Sequence, residues 1–215
     1  FAPGSARSLT GKMGTRPLQS HGVTTPLKLW QRGINAGSFY PRPKRHHHVT
    51  RPIMLYVGRV SNEKNLPAFL DLNHEGTKYI VGDGPMLARL QKTYRHEAEA
   101  GRIVFFGERK GEELASIYAE ADVFVFPSRT DTFGNVILEA LASGVPVAAF
   151  PVPGPMDILW ERGAGALHTD LAAAVRDALV SGCREACLTH AQRYSWEVAT
   201  DQFLQAVVPI DFTET

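Results

Sequence analysis

The sequence predicts an α/β domain, a Rossmann-like parallel sheet with helices on both faces. Three observations carry this. Apolar runs of four to six residues recur from position 53 onward, most of them closed by Gly or Pro. They alternate with segments of helical composition. The polar and Gly-rich segments that have the makings of chemistry fall just after the apolar runs. Short runs that are apolar throughout mean strands buried on two faces, which requires helices above and below a parallel sheet. In such sheets ligands sit at the carboxyl ends of the strands.

The elements follow in order. Residues 1–50 are broken up by Gly and Pro and show no sustained period, so they are not expected to fold alone. Ile53–Val57, ended by Gly58, is the first strand, and Leu66–Leu72 a short helix. Lys78–Val81 is the second strand, turned by Gly82-Asp-Gly-Pro85, and Met86–His96 a helix. Ile103–Phe106 is the third strand, Glu112–Ala121 an amphipathic helix and Val123–Phe126 the fourth strand. Val136–Ala142 is helical and is stopped by Gly144 and Pro146. Val145–Ala149 reads as the fifth strand and Gly165–Leu167 as a short sixth. Helices over Asp170–Val180, Arg184–Arg193 and Ser195–Val207 complete the chain.

Composition bounds the function. With 215 residues, 44% of them hydrophobic, the chain can fill one core and carry an additional fragment. The net charge of +1 argues against nucleic acid as an obligate partner. That charge is unevenly placed. Residues 1–51 hold nine Lys/Arg and no acid, whereas the remainder holds fourteen Lys/Arg and all twenty-two acids, a net of +9 set against −8. The basic residues are scattered among Pro, Gly and Thr, which fits a structural extension better than a basic arm for lipid or nucleic acid. Cys183 and Cys187 lie four apart, a poor spacing for a disulfide within a helix and without further zinc ligands nearby, so both are expected reduced in a cytoplasmic protein. His46, His47 and His48 are adjacent and cannot converge on one metal from a regular element, so no metal site is expected. No apolar stretch reaches the ~18 residues needed to span a bilayer.

The most informative segment is Ser128-Arg-Thr-Asp-Thr-Phe-Gly-Asn-Val-Ile-Leu-Glu-Ala-Leu-Ala-Ser-Gly-Val-Pro146. Two carboxylates, Asp131 and Glu139, have seven residues between them. The turn between them enters a helix, and the backbone N–H groups of Phe133, Gly134, Asn135 and Val136 make a seat for an anion. Carboxylates accept from hydroxyls, so the pair suits a polyol beside a phosphate. On spacing alone, Asp131 as a helix-entry cap and Glu139 as a solvated helix residue are equally good readings. After the first strand, Gly58 precedes Arg59 and Lys64, two cations in one loop that can reach a common anion; a pair of surface cations is the alternative. Asp83 and Gly84 follow the second strand as a turn expected to line the cleft. Arg109 and Lys110 follow the third. Ser128 and Arg129 are placed as supporting residues.

These motifs closely resemble those of the retaining glycosyltransferases of family 4, which have the GT-B fold. The resemblance rests on Gly58-Arg59 with Lys64, on Gly82-Asp-Gly-Pro85, on Asp131 with Glu139-Ala-Leu-Ala-Ser-Gly-Val-Pro-Val147, on Trp30-Gln-Arg-Gly-Ile-Asn35 and on Tyr194-Ser-Trp-Glu197. Two positions depart from the pattern: Asp131 stands where Glu is usual, and Asn35 where Asp is usual. The resemblance implies the C-terminal half of a GT-B enzyme. Residues 1–50 would be the remnant of an acceptor domain and the interdomain link, 51–194 the nucleotide-sugar domain, and 195–215 a helix crossing back. It implies that Arg59 and Lys64 hold the diphosphate of a UDP- or GDP-hexose, Asp131 the sugar and Glu139 the ribose, with Gly58, Asp83 and Gly84 beside them and Arg109 and Lys110 near the base. It implies no cofactor and no metal. The acceptor would be a lipid or glycan at the membrane surface, and the enzyme cytoplasmic or peripheral to the inner face of a membrane. The alternative is a truncated nucleotide-binding or interaction module without turnover. Apolar residues of the link and the last helix, Trp30, Phe39, Trp196 and Phe203, are expected to be uncovered and to favour self-association.

Overall fold

The computed structural model describes residues 7–9, 27–45, 48–131, 134–159 and 162–207. Strands β1 (Arg7–Leu9) and β2 (Leu27–Leu29) pair in parallel as a separate two-stranded sheet. The main sheet holds β3 (Ile53–Val57), β4 (Thr77–Val81), β5 (Ile103–Gly107), β6 (Val123–Phe126), β7 (Val147–Ala149) and β8 (Gly165–Leu167). All pairings are parallel, in the order β5-β4-β3-β6-β7-β8. The chain therefore builds outward from β3 to one edge, then returns to the far side of β3 and builds to the other. Between β3 and β6 consecutive connections leave in opposite directions, and the loops above them part to leave a crevice.

The helices are α1 (Leu66–Leu70), α2 (Leu87–Thr93), α3 (Arg95–Glu99), α4 (Gly111–Glu120), α5 (Asn135–Ala142), α6 (Pro153–Ile158), α7 (Leu171–Ser181), α8 (Arg184–Gln192) and α9 (Trp196–Ala206). Alternate side chains of β3 point to opposite faces, as the pleat demands. Leu55 and Val57 join Phe124, Phe126 and residues of α4, α5 and α8 in one core layer. Met54 and Tyr56 join Ile80, Val125 and residues of α1, α2 and α7 in the other. Every residue of β3, β4 and β6 is buried; β3 and β6 are apolar throughout, and in β4 the buried Thr77 hydroxyl donates to Thr50 O and the Lys78 ammonium to Leu70 O and Leu72 O. Truncating one such side chain, Leu55 for example, costs about 2–5 kcal/mol.

Four readings of local structure are corrected. Met86–His96 is two helices, broken at Tyr94, whose hydroxyl donates to Asp71 Oδ1 at 2.6 Å. The fifth strand starts at Val147 rather than Val145. Val145 N–H donates to Ala140 O and Gly144 N–H to Leu141 O, with Gly144 at φ +74°, so Val145 closes α5 instead of starting β7. Helix α6 occupies a Pro-Gly-Pro stretch; proline is compatible with the first turn, where its missing N–H has no partner to lose. The 30–45 stretch is not an uncovered linker. Phe39 is half-buried and meets Tyr118 edge-on at 5.5 Å between ring centroids. Trp30 Nε1 donates to Ala199 O, Ile34 N–H to Tyr194 O, and Trp30 packs on Phe203. Trp196 and Phe203 do remain exposed.

The basic residues of this stretch also find partners. Arg42 pairs with Glu112, Lys44 with Asp122, and Arg51 with Glu120 and Asp122. Burial alone would raise the Asp122 carboxyl, but Lys44, the Ile53 N–H and Arg51 outweigh it and hold it below its usual value. Cys183 is exposed and Cys187 buried, both as free thiols; burial pushes Cys187 up to about 12. His48 is exposed, and His46 and His47 lie outside the described residues. Among the described residues no helix is long and apolar enough to cross a membrane.

Candidate functional site

Close backbone packing builds the floor of the site. The N–H of Val60 donates to Asp83 O at 2.8 Å, and that of Met86 to Val60 O at 3.0 Å, so the loops after β3 and β4 lie flat on each other. A Cβ on Gly82 would stand 1.9 Å from Gly58 O, and one on Gly84 2.4 Å from Val60 O. Both glycines also hold positive φ, +135° and +157°, so the Gly-x-Gly turn is a requirement of the fold.

The walls come from either side of the crevice. Three contacts tie the loop after β3 to the loop after β6. Asn65 Nδ2 donates to Pro127 O at 3.1 Å, Ser128 Oγ to Glu63 O at 3.4 Å, and Lys64 Nζ to Asp131 Oδ1 at 2.6 Å. Asn65 itself is left-handed, φ 54°, which turns the chain from this loop into α1. A cleft of about 290 Å³ opens between the loops, lined by Arg32, Tyr56, Val57, Gly58, Lys64, Phe126, Ser128, Asp131, Gly134, Asn135 and Val136. The second carboxylate oxygen of Asp131, Oδ2, is buried and has no hydrogen-bond partner among the described residues. The start of α5 faces the cleft through Gly134, Asn135 and Val136. Among the described residues no side chain caps it and its first turn holds no acid, so its leading N–H groups and the positive helix end are available to an anion. The cleft thus offers cations, an N–H nest and a carboxylate acceptor within one small volume.

The structure gathers some predicted residues here and places others apart. Gly58, Lys64, Asp131, Gly134, Asn135 and Val136 meet in the cleft. Phe133 lies outside the described residues. Asp131 is not a helix-entry cap: Gly134 holds that position, and Asp131 pairs with Lys64. Glu139 is not solvated. Its Oε2 accepts the Tyr118 hydroxyl at 2.7 Å, and burial raises its carboxyl above the usual range although Tyr118 opposes this. Tyr118, wholly buried beside that carboxylate, is itself pushed well above an ordinary phenol, first by burial. Glu139 is not part of the cleft lining, and its partner Tyr118 belongs to the first core layer. Arg59 is exposed and its carbonyl accepts the Tyr56 hydroxyl at 2.8 Å; its side chain is not part of the cleft lining. Asp83 is exposed and its carboxylate caps the Gly84 N–H at 2.6 Å, so Asp83 and Gly84 lie off this cleft. Arg109 and Lys110 are exposed beside Glu113 and Glu108, and Arg109 borders a separate hollow on α4 with Arg45 and Phe106. Ser128 is buried between the loops, and Arg129 stacks over Phe150 at 3.8 Å.

Four cleft residues escape the sequence reading: Val57 and Phe126, read as strand core, and Tyr56 and Arg32. Tyr56 sits in a run read as core, where a polar tip is the one signal of contact with a loop. Arg32 is one of nine scattered basic residues; it lies in the Trp30–Asn35 segment that carries part of the resemblance, but no strand end or helix start beside it marks it as a cleft residue.

Known proteins carry the same pattern. The profile of a family described as "Glycosyl transferases group 1" matches residues 51–183, more than half of the chain. The sulfoquinovosyl transferase SQD2 of Arabidopsis thaliana is 36% identical over 150 residues, covering 65% of this chain and 29% of that protein. A GDP-mannose-dependent alpha-mannosyltransferase of Corynebacterium glutamicum is 33% identical over 164 residues, covering 72% of this chain and 38% of that protein. The chain thus spans about a third of the length of these curated relatives. Among solved structures, the lipopolysaccharide outer core galactosyltransferase WaaB superposes with a TM-score of 0.76 at 17% identity, covering 92% of this chain and 60% of that one. Sucrose-phosphate synthase from Thermosynechococcus elongatus superposes at 0.75 and 24% identity, covering 93% of this chain and 57% of that one. At these identities the likeness is one of fold, the α/β half of a GT-B chain.

Proposed function

Because the chain belongs to the group 1 glycosyl transferases, we propose that it is the donor-binding part of an enzyme that moves a hexose from a nucleoside diphosphate to an acceptor with retention. The observation that carries this reading is the cleft over β3 and β6, in which Lys64, Asp131 and the uncapped start of α5 converge. Lys64 holds the diphosphate, with Arg59, now turned outward, as the second cation of the same loop. The N–H groups of Gly134, Asn135 and Val136 receive phosphate and sugar oxygens. Asp131 turns its second oxygen to a sugar hydroxyl, and Glu139 holds the ribose. Arg109 and Lys110 stand toward the base. In the transfer, the bond from the anomeric carbon to the β-phosphate oxygen breaks and the diphosphate leaves with the electron pair. The acceptor oxygen bonds to the same face of the sugar and gives up its proton to the departing diphosphate oxygen. Charge builds on the leaving oxygens, where a fixed lysine and a helix N-terminus stabilise the transition state more than the ground state.

The donor is a UDP- or GDP-hexose and the acceptor a lipid or glycan at a membrane surface. The facing, acceptor-binding wall belongs, in this reading, to a part of such a protein that this chain does not cover. Calorimetric titration of UDP, GDP, their sugar conjugates and inorganic phosphate tests the reading. A nucleoside diphosphate should bind at least about tenfold tighter than phosphate, and Lys64→Ala should weaken it by about 1.5–3 kcal/mol. Equal binding of all ligands, or an unchanged Lys64→Ala, would refute it.

A further inference from the structure

We propose that Tyr118 is a positioning residue of the donor site: its hydroxyl fixes the Glu139 carboxylate so that the other oxygen, Oε1, accepts from the hydroxyls of a ribose. The inference rests on the donor reading given above and deepens it, since that reading gives α4 no part in binding. Glu139 follows Val136 by three residues and Asn135 by four, so it shares the face of α5 on which those two line the cleft. It lies one turn deeper, about 5 Å along the helix, a span comparable to that from a phosphate to the hydroxyls of the ribose it esterifies. Oε2 is occupied by the Tyr118 hydroxyl at 2.7 Å. Oε1 has no hydrogen-bond partner among the described residues, and Glu139 is only half-buried. A carboxylate oxygen is an acceptor alone, and one oxygen can take both hydroxyls of a vicinal diol.

Tyr118 suits the task because it cannot move. It is wholly buried, with Phe39 edge-on to its ring at 5.5 Å and Phe124 at 5.8 Å between centroids. Burial beside Glu139 also pushes its phenol well above the ordinary value, so the hydroxyl stays a donor. The same hydroxyl lies 3.4 Å from Val136 O, in the turn whose N–H groups face the cleft. One group on α4 thus touches both the helix start offered to phosphate and the carboxylate one turn behind it. A glutamate on a helix has several rotamers open to it. A short, charge-assisted bond to an immobile donor selects one of them before the ligand arrives, which removes part of the ordering cost of binding.

The experiment titrates UDP and GDP, their 2′,3′-dideoxy counterparts and pyrophosphate into the wild-type chain, Tyr118→Phe and, as a control, Tyr94→Phe, which loses a tyrosine–carboxylate bond to Asp71 away from the cleft. The wild type should bind the preferred nucleotide about tenfold tighter than its dideoxy form, the worth of a hydrogen bond to a charged group. Tyr118→Phe should shrink that ratio by roughly 3- to 10-fold through the ribose ligand alone, leaving the dideoxy form and pyrophosphate unchanged, and Tyr94→Phe should alter none of them. A general loosening of the core would weaken all the ligands together. A 3-fluorotyrosine at position 118 keeps the hydroxyl and decides the matter should Tyr118→Phe not fold: its fluorine resonance should move with the ribonucleotide and stay in place with the dideoxy form. No ribose preference in the wild type, an undiminished preference in Tyr118→Phe, an equal loss of every ligand, or a fluorine resonance indifferent to the ribose overturns the inference and leaves the donor reading intact. A nucleotide that binds no tighter than pyrophosphate overturns both.

Discussion

Lys64 Nζ stands 2.6 Å from Asp131 Oδ1 and joins the loop leaving β3 to the loop leaving β6, across the point where the sheet changes its direction of growth. Both side chains are largely withdrawn from water, at 23% and 21% exposure, so the pair is neither a surface bridge nor a fully buried one. Lys64→Met should cost about 1–3 kcal/mol, because it strands the Asp131 carboxylate. In a double-mutant cycle with Asp131→Asn the two losses should fall short of additive by about 1 kcal/mol. Strict additivity in urea unfolding would show that the contact holds nothing together.

Glu139 offers a test by pH. Burial raises its folded pKa above the unfolded value, so below the unfolded value both states are protonated and no penalty exists. As pH rises past that value the unfolded chain loses its proton first, and stability falls until the folded carboxyl has ionised as well. Glu139→Gln removes the charge and keeps an acceptor for Tyr118. It should raise the melting temperature at pH 7 by a few degrees and leave it unchanged at pH 3. A lower melting temperature at pH 7 would contradict the burial argument.

The two acids should also part company in ligand binding. Asp131→Asn should weaken a nucleotide sugar and spare the free nucleoside diphosphate, since its proposed partner is the sugar. Glu139→Gln should weaken both, since its proposed partner is the ribose. Parallel titrations of the two ligands separate these outcomes, and equal loss of both ligands in Asp131→Asn would end the assignment.

Gly82→Ala and Gly84→Ala should each cost about 2 kcal/mol or more, because a methyl group would enter the backbone of Gly58 or Val60 at a positive φ. Gly101→Ala has φ +72° with nothing within 4 Å of the added carbon, so it should cost only about 1 kcal/mol of backbone strain. Thermal melts of the three variants compare clash with strain; equal losses would mean that close approach contributes nothing.

What the sequence discloses follows from where the information lies. Val123–Phe126 and Ile53–Val57 are apolar throughout because both faces are covered, so the parallel sheet and its helices can be read directly. Lys64, Asp131 and Gly134 are legible because each sits beside a strand end. Val145 is misread because the bond that removes it from the strand, to Ala140 O, belongs to helix termination and leaves no mark on the apolar pattern. Arg32 and Tyr56 are silent for another reason. Their place in the cleft depends on which distant segments dock together, the 30–45 stretch on α9 and the loop after β3 on the loop after β6, and no local spacing encodes such docking. The burial of Glu139 is similarly non-local, since its partner Tyr118 comes from another helix.

The ion pairs of Arg42, Lys44 and Arg51 with Glu112, Asp122 and Glu120 set a boundary that differs from the one the family pattern draws. That pattern begins at residue 51, and Glu120, only 4% exposed, takes its counter-charge from Arg51 at that edge and a hydrogen bond from the Arg45 N–H ahead of it. A fragment starting at residue 52 would keep every strand of the main sheet and lose all three of these cations. It would expose the side of Phe39's aromatic partner, Tyr118, and leave the Glu120 and Asp122 carboxylates, both largely withdrawn from water, without their cations. Such a fragment should be acid-loving and salt-dependent. A fragment that starts near Trp30 keeps these cations, about twenty residues ahead of the point where the family profile begins, and should melt higher than the one starting at residue 52.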